Sequence, residues 1–208
     1  MRAFGERLRA LRRARGWPIG QLASASGVSR AMISKIERGE SSPTAVVLGK
    51  LSAALELSVS ELLTGARLGD GPELTTADPP PASATDATDA IDAIGAGRVR
   101  RAADTPQWRD PDTGYLRRQI STAGFPAAVT EVTLPPGARV PYPAAAYAFI
   151  AQLVWVLSGQ LTLTDGPVRR VLAAGDTFEL GQPRSREFGN ETSQECRYIV
   201  VVTRKSTA

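Results

Sequence analysis

Arg30 and Lys35 lie on either side of Ala31 and Ser34 in the segment SRAMISKIER, with Ile33 and Ile36 at the complementary helical positions. Coiled as a helix, this segment buries the two isoleucines and gathers Arg30, Ala31, Ser34 and Lys35 on the opposite face, where a hydrophobic core has no use for them. Such side chains suit the major groove of DNA, which admits a helix and offers base edges to short polar and cationic groups. The chemistry expected is therefore non-covalent recognition of a polyanion. Ser29, one residue ahead, has the hydroxyl to cap this helix.

The surrounding elements must hold that face outward. Residues 18–39 contain two short helical patterns on either side of a break at Gly27 and Val28, with Leu22 and Ala23 marking the buried side of the first. Upstream, Phe4, Leu8 and Leu11 recur at helical spacing, Arg7, Arg9, Arg12, Arg13 and Arg15 occupy the other faces, and Gly16 ends the run. Trp17 then closes the core. Downstream, Ser42 and Pro43 resemble a cap and a first helical residue for a fourth helix that turns Leu48, Leu51 and Leu55 inward. The start of that helix, near Thr44, either faces a phosphate or is simply capped. Ser58 and Glu61 have capping-box spacing ahead of Leu62 and Leu63, a short fifth helix. The expected unit is a five-helix bundle over residues 1–67.

Leu22-Ala23, Gly27-Val28-Ser29, Ile33, Ile36-Glu37-Arg38-Gly39 and Pro43 together resemble the Xre type of helix-turn-helix regulator, the phage-repressor-like family. The resemblance runs from Phe4 to Leu63. It implies that Ser29, Arg30, Ala31 and Lys35 occupy base-reading positions, and that Arg38, Ser41 and Ser42 lie where the DNA backbone is gripped. It also implies a structural ion pair between Arg12 and Glu37. One departure is that Pro18 and Ile19 stand where relatives carry a Ser or Thr cap and a Gln. Gln21 or backbone NH groups are then the substitutes for that phosphate contact.

Charge is distributed to match. Residues 1–68 hold eleven Lys and Arg against five acids, whereas residues 69–97 hold six acids and no base. The basic head fits a nucleic-acid partner. Residues 68–97, with Pro79, Pro80 and Pro81 and an imperfect Thr-Asp-Ala repeat, have little to build a core from and read as a flexible acidic linker. A single cysteine, Cys196, excludes an intramolecular disulfide. Because the start lacks a basic-then-apolar run and no stretch reaches the ~20 apolar residues of a spanning helix, a cytoplasmic protein with no membrane partner is expected.

From residue 98 to 208 β-type signals take over, at Val99 and over 115–120, 128–134, 152–157, 160–163, 168–172, 177–180 and 198–203, punctuated by Pro and Gly. Leu134, Pro135, Pro136 and Gly137, then Val156 to Leu163 around Gly159, then Gly175 and finally Asn190 resemble the cupin barrel. Cupins place two His, a Glu and a further His within this frame. This sequence has no histidine, and Tyr142-Pro143-Ala144-Ala145, Gln152 and Arg186 stand at those places. Phenol, amide and guanidinium are poor ligands for a transition metal. No metal, no cofactor and no catalytic residue are therefore expected, Glu131 and Glu179 being isolated carboxylates.

A metal-free barrel can still bind. Strand alternation that turns Gln152, Val154 and Arg186 inward, with Tyr142, Tyr147 and Phe188 as walls, suits a small anionic or hydrogen-bonding effector. Alternatively Gln152 bonds neighbouring backbone and Arg186 pairs with Glu179 or Glu187. Cys196 is either inert packing or, beside Arg197, a redox-sensitive thiol. The fold class expected is α+β and multidomain: helical head, linker, all-β cupin-like tail. The resemblance implies a bacterial transcription regulator, repressor or activator, that binds a double-stranded operator as a homodimer. Its tail senses an effector, or only dimerises or docks another protein.

Overall fold

In the computed structural model, residues 2–65, 99–122 and 125–205 are described. The expected linker, 68–97, lies outside them. The head comprises α1 (Arg2–Ala14), α2 (Ile19–Ser26), α3 (Arg30–Glu37), α4 (Ala45–Ala54) and α5 (Val59–Thr64). Phe4, Leu8, Leu22, Val28, Ile33, Ile36, Leu48, Leu51, Leu55, Leu57 and Leu62 form its core.

Local chemistry accounts for the helix ends. Ser29 accepts from the Met32 NH and caps α3, and Gly27 ends α2 in the left-handed conformation. Ser58 and Glu61 complete the capping box of α5. The start of α4 differs from the sequence expectation: Thr44, not Ser42, is the cap, accepting from the Val47 NH, and Pro43 precedes the helix. Two residues separate the alternatives, and a Thr hydroxyl next to the first turn serves as well as Ser before Pro. Arg12 donates to both Glu37 oxygens, Nε at 2.6 Å and Nη2 at 2.8 Å, and Nη1 reaches the Trp17 carbonyl at 2.7 Å. Its hydrogen bonds to that carboxylate hold the Arg12 guanidinium above its ordinary pKa. Both side chains are buried, so α1 is fixed to the end of α3. Arg7 and Arg15, expected on open faces of α1, instead donate to the terminal carbonyls of Leu63 and Leu55, satisfying orphan acceptors at the ends of α5 and α4.

The tail is two antiparallel sheets. One has the order β1-β2-β3-β10-β5-β8, from β1 (Gln107–Arg109), β2 (Leu116–Gln119), β3 (Ala128–Leu134), β10 (Cys196–Arg204), β5 (Ile150–Ser158) and β8 (Thr177–Glu179). The other has the order β4-β9-β6-β7, from β4 (Arg139–Tyr142), β9 (Arg186–Gly189), β6 (Gln160–Asp165) and β7 (Val168–Ala173). Val132, Leu134, Val140, Val154, Val156, Leu161, Leu163, Phe188 and Tyr198 fill the space between the two sheets. Strands β1, β4 and β9 lack an apolar run and were not expected, while Val99 is 79% exposed and belongs to no strand. Asn190 locks the barrel end by donating to the carbonyls of Leu134 and Gln194.

Head and tail touch. The Asp110 carboxylate accepts from the Ala45 NH at 3.0 Å, Ser60 Oγ and Thr130 Oγ1 are 3.0 Å apart, and Arg204 Nη2 donates to Glu61 at 2.9 Å. At Gly49, an added Cβ would lie 2.7 Å from the Tyr142 ring, so α4 approaches the barrel at backbone distance.

Candidate nucleic-acid interface and barrel cavities

The break at Gly27 and Val28 sets α3 across α2, and burial of Ile33 and Ile36 rotates the other face outward. Ser29, Arg30, Ala31 and Lys35 are exposed, together with Gln21 and Arg38, while Ser34, Ser41, Ser42 and Thr44 are half-buried. The expected surface residues are thus exposed or half-buried on the head, and two of them differ from expectation in their contacts.

The first concerns Arg38, whose Nε and Nη2 donate to the two Glu40 oxygens at 2.6 and 2.8 Å and whose Nη1 donates to Ser34. Hydrogen bonds from Arg38 hold the Glu40 carboxyl below the usual carboxylate range. A phosphate reaching Arg38 must displace this exposed pair, which solvent screens. The second concerns Thr44. Its hydroxyl is occupied by its own helix and the adjacent NH by Asp110, so this helix start is engaged within the protein. Arg30 is positioned by a neighbour that sequence pattern did not indicate: a Cβ at Gly20 would meet its guanidinium at 3.0 Å, so the side chain rests over the first turn of α2.

In the barrel, Tyr142, Tyr147, Gln152 and Phe188 line a cavity of about 40 Å3, together with Tyr115, Arg117 and Tyr198 and with Ser52, Ser58, Val59 and Ser60 from the head. Val154 packs in the core instead, away from the cavity wall. Arg186 is buried but is not part of that wall either. Its Nε lies 2.9 Å from Asp165 Oδ1, out of line for a hydrogen bond, its Nη2 donates to the Gln182 carbonyl at 2.9 Å, and its guanidinium stacks 4.6 Å from the Tyr147 ring centre. The expected partners are thereby corrected: Glu187 pairs with Arg139, and Asp165, directly opposite Arg186 in the sheet, takes the charge. Glu131 is clamped between Arg118 and Arg197. Burial opposes its charge, but the hydrogen bonds from Arg197 and Arg118 prevail and lower its pKa.

Tyr142 and Arg186 face one another in register, and with Gln152 they present phenol, guanidinium and amide at the positions where the sequence resemblance expected metal ligands. These groups do not fit a divalent transition ion. Among the described residues no three His, Cys, Asp or Glu side chains gather. Cys196 is fully buried, and burial pushes its thiol up to about 11, which disfavours the reactive thiolate. No described helix is long and apolar enough to cross a membrane.

A small helical head with α3 turned outward, joined to two packed antiparallel sheets with no metal-ligand cluster among the described residues, defines a helix-turn-helix head with an all-β tail. Residues 8–62 match the helix-turn-helix family model. Its relatives include the HTH-type transcriptional regulator SutR of Escherichia coli, 46% identical over 57 residues, 27% of this chain and 32% of SutR. A helix-turn-helix protein of Halorubrum lacusprofundi is 30% identical over 189 residues, 90% of this chain and 48% of that protein. The chain thus spans a third to a half of the length of these relatives. A crystal structure of an HTH_3 family transcriptional regulator from Vibrio cholerae superposes with a TM-score of 0.68 at 20% identity, covering 97% of this chain and 95% of that one, a likeness of fold.

Proposed function

We propose that the protein is a sequence-specific, DNA-binding transcription regulator, without enzymatic activity, that works in the cytoplasm. The observation that carries this reading is the exposed face of α3. Ser29, Arg30, Ala31 and Lys35 are open to solvent while Ile33 and Ile36 are buried beneath them, within a segment matching the helix-turn-helix family. Arg30 is the leading candidate for a guanine and Lys35 the second, with Ser34 beside them. Gln21, Arg38, Ser41 and Ser42 grip phosphates, which orients the head without reading sequence.

One small bundle offers limited contact, so a homodimer on an inverted repeat is the working form, its half-sites ~34–36 Å apart or a multiple of that. The outer face of the larger sheet supports pairing through the tail: Trp155 is 47% exposed and Leu157 36%, on the side turned away from the core. The tail binds a small effector and no metal. Selecting operators from a random duplex pool with the full-length protein tests this reading. The expected result is an enriched inverted repeat bound by two chains, and a pool that remains unenriched would overturn it.

A further inference from the structure

Arg117 is a buried cation without a carboxylate partner among the described residues, and it lies where head and barrel meet. Its Nη1 donates to the Tyr115 hydroxyl at 2.8 Å and its Nη2 to Ser60 Oγ, on α5 of the head, at 3.2 Å. Ser60 in turn bonds Thr130, whose hydroxyl donates to Gln119 at 3.1 Å, so a chain of neutral groups crosses the seam. Neutral partners orient a guanidinium but leave its charge uncompensated, and desolvating an unpaired charge is costly. By contrast, Arg12 and Arg186, the other deeply buried arginines, each face a carboxylate.

Beside Arg117 is a second cavity, about 160 Å3, bounded by Phe4, Leu63, Pro106 and Trp108 on its apolar side and by Gln107, Gln119 and Thr130 on its polar side. The Trp108 indole Nε1 is buried and has no hydrogen-bond partner. One fixed cation, one idle NH donor and apolar walls match a single carboxylate carried on a short apolar body. The volume is well below the ~300 Å3 of a drug-sized pocket, which limits that body to a ring or a short chain.

We infer that the seam between head and barrel is a binding site for a small apolar monocarboxylate, held by Arg117 with Trp108 as second donor. This inference rests on the effector reading above and moves the site from the barrel interior to the seam. Because Phe4 and Leu63 belong to the head and Trp108 and Arg117 to the tail, the ligand favours the docked arrangement of the two over any other.

Benzoate, with benzamide as its uncharged isostere, tests the inference on the full-length protein by following tryptophan indole NH resonances, assigned to Trp108 by Trp108→Phe. Benzoate is expected to shift the Trp108 signal saturably and benzamide to leave it in place. Arg117→Gln should weaken benzoate binding about tenfold or more, the worth of a charge-assisted hydrogen bond. Gln107→Phe, at an exposed strand position, should fill the cavity and block binding with the fold intact, a control should the Arg117 variant not fold. Equal response to benzamide, an unshifted Trp108 signal, or benzoate binding retained in either variant would overturn the seam site. Binding lost in Gln152→Leu, in the barrel cavity, but kept in Gln107→Phe would overturn it while preserving an effector in the barrel. A small-molecule thermal-shift screen with no hit would instead count against effector sensing itself.

Discussion

Two buried arginines, one in each half of the molecule, are accommodated in opposite ways. In the head, Arg12 meets Glu37 in a two-pronged ion pair that fixes α1 against α3. In the tail, Arg117 meets a phenol and a serine hydroxyl at the seam and has no carboxylate partner among the described residues. The difference teaches how the halves divide the work. The head neutralises its interior charge and reserves its cations for the surface, where Arg30 and Lys35 remain exposed. The tail keeps cations inside, one facing Asp165 and one with no carboxylate partner among the described residues.

The largest expected effect comes from breaking the balanced pair. Glu37→Ala strands the Arg12 charge in the core and should lower stability by about 3–5 kcal/mol, read from denaturant unfolding of the full chain. A loss below about 1 kcal/mol would show that the pair does not hold α1 and would erase the contrast with Arg117. Next is the seam. A Cβ at Gly49 lies 2.7 Å from the Tyr142 ring, so Gly49→Ala should overpack the contact and cost about 1–3 kcal/mol, seen as a lower melting temperature. An unchanged melting temperature would mean that head and tail do not bear on one another there.

A smaller, pH-dependent effect is expected at Glu131. Its folded pKa lies below the ordinary value of 4.5, so its contribution is present above that value and is lost as pH falls through the lowered folded pKa. Glu131→Gln should therefore reduce stability near neutrality and flatten the acid limb below about pH 4.5 in a pH series of thermal melts. Smallest is Glu40→Gln. It frees Arg38 for phosphate and should raise affinity for specific and random DNA alike at low salt, measured by fluorescence anisotropy, with stability unchanged because the pair is exposed.

Legibility in the sequence follows the same division. The head is built from contacts close in sequence: the Ser29 cap, the Ser58–Glu61 box and the isoleucine spacing specify themselves within a few residues. The Arg12–Glu37 pair spans two helices, and only resemblance to a family pointed to it. Thr44 and Ser42 offer the same capping chemistry two residues apart, and sequence spacing alone does not choose between them; in the structure Thr44 caps, next to the Ala45 NH that donates to Asp110 of the tail. In the tail, strands with an apolar alternation were legible, whereas β4 and β9, which carry Arg139, Pro141, Arg186 and Glu187, are held by pairing with one another and, for β9, with β6. The partner of Arg186 could not be read because Asp165 is adjacent only through strand register. Arg117 sits in the polar run LRRQ, whose alternation gives no apolar signal for which arginine turns inward.

The central claim is that α3 reads bases through Arg30, and the direct test compares Arg30→Ala with the parent protein on its selected operator and on random duplex DNA at fixed salt. A loss of about 1–3 kcal/mol confined to the operator, with specificity relaxed at one base pair of each half-site, is the predicted result. An equal loss on both DNAs would make Arg30 a phosphate contact and contradict the account.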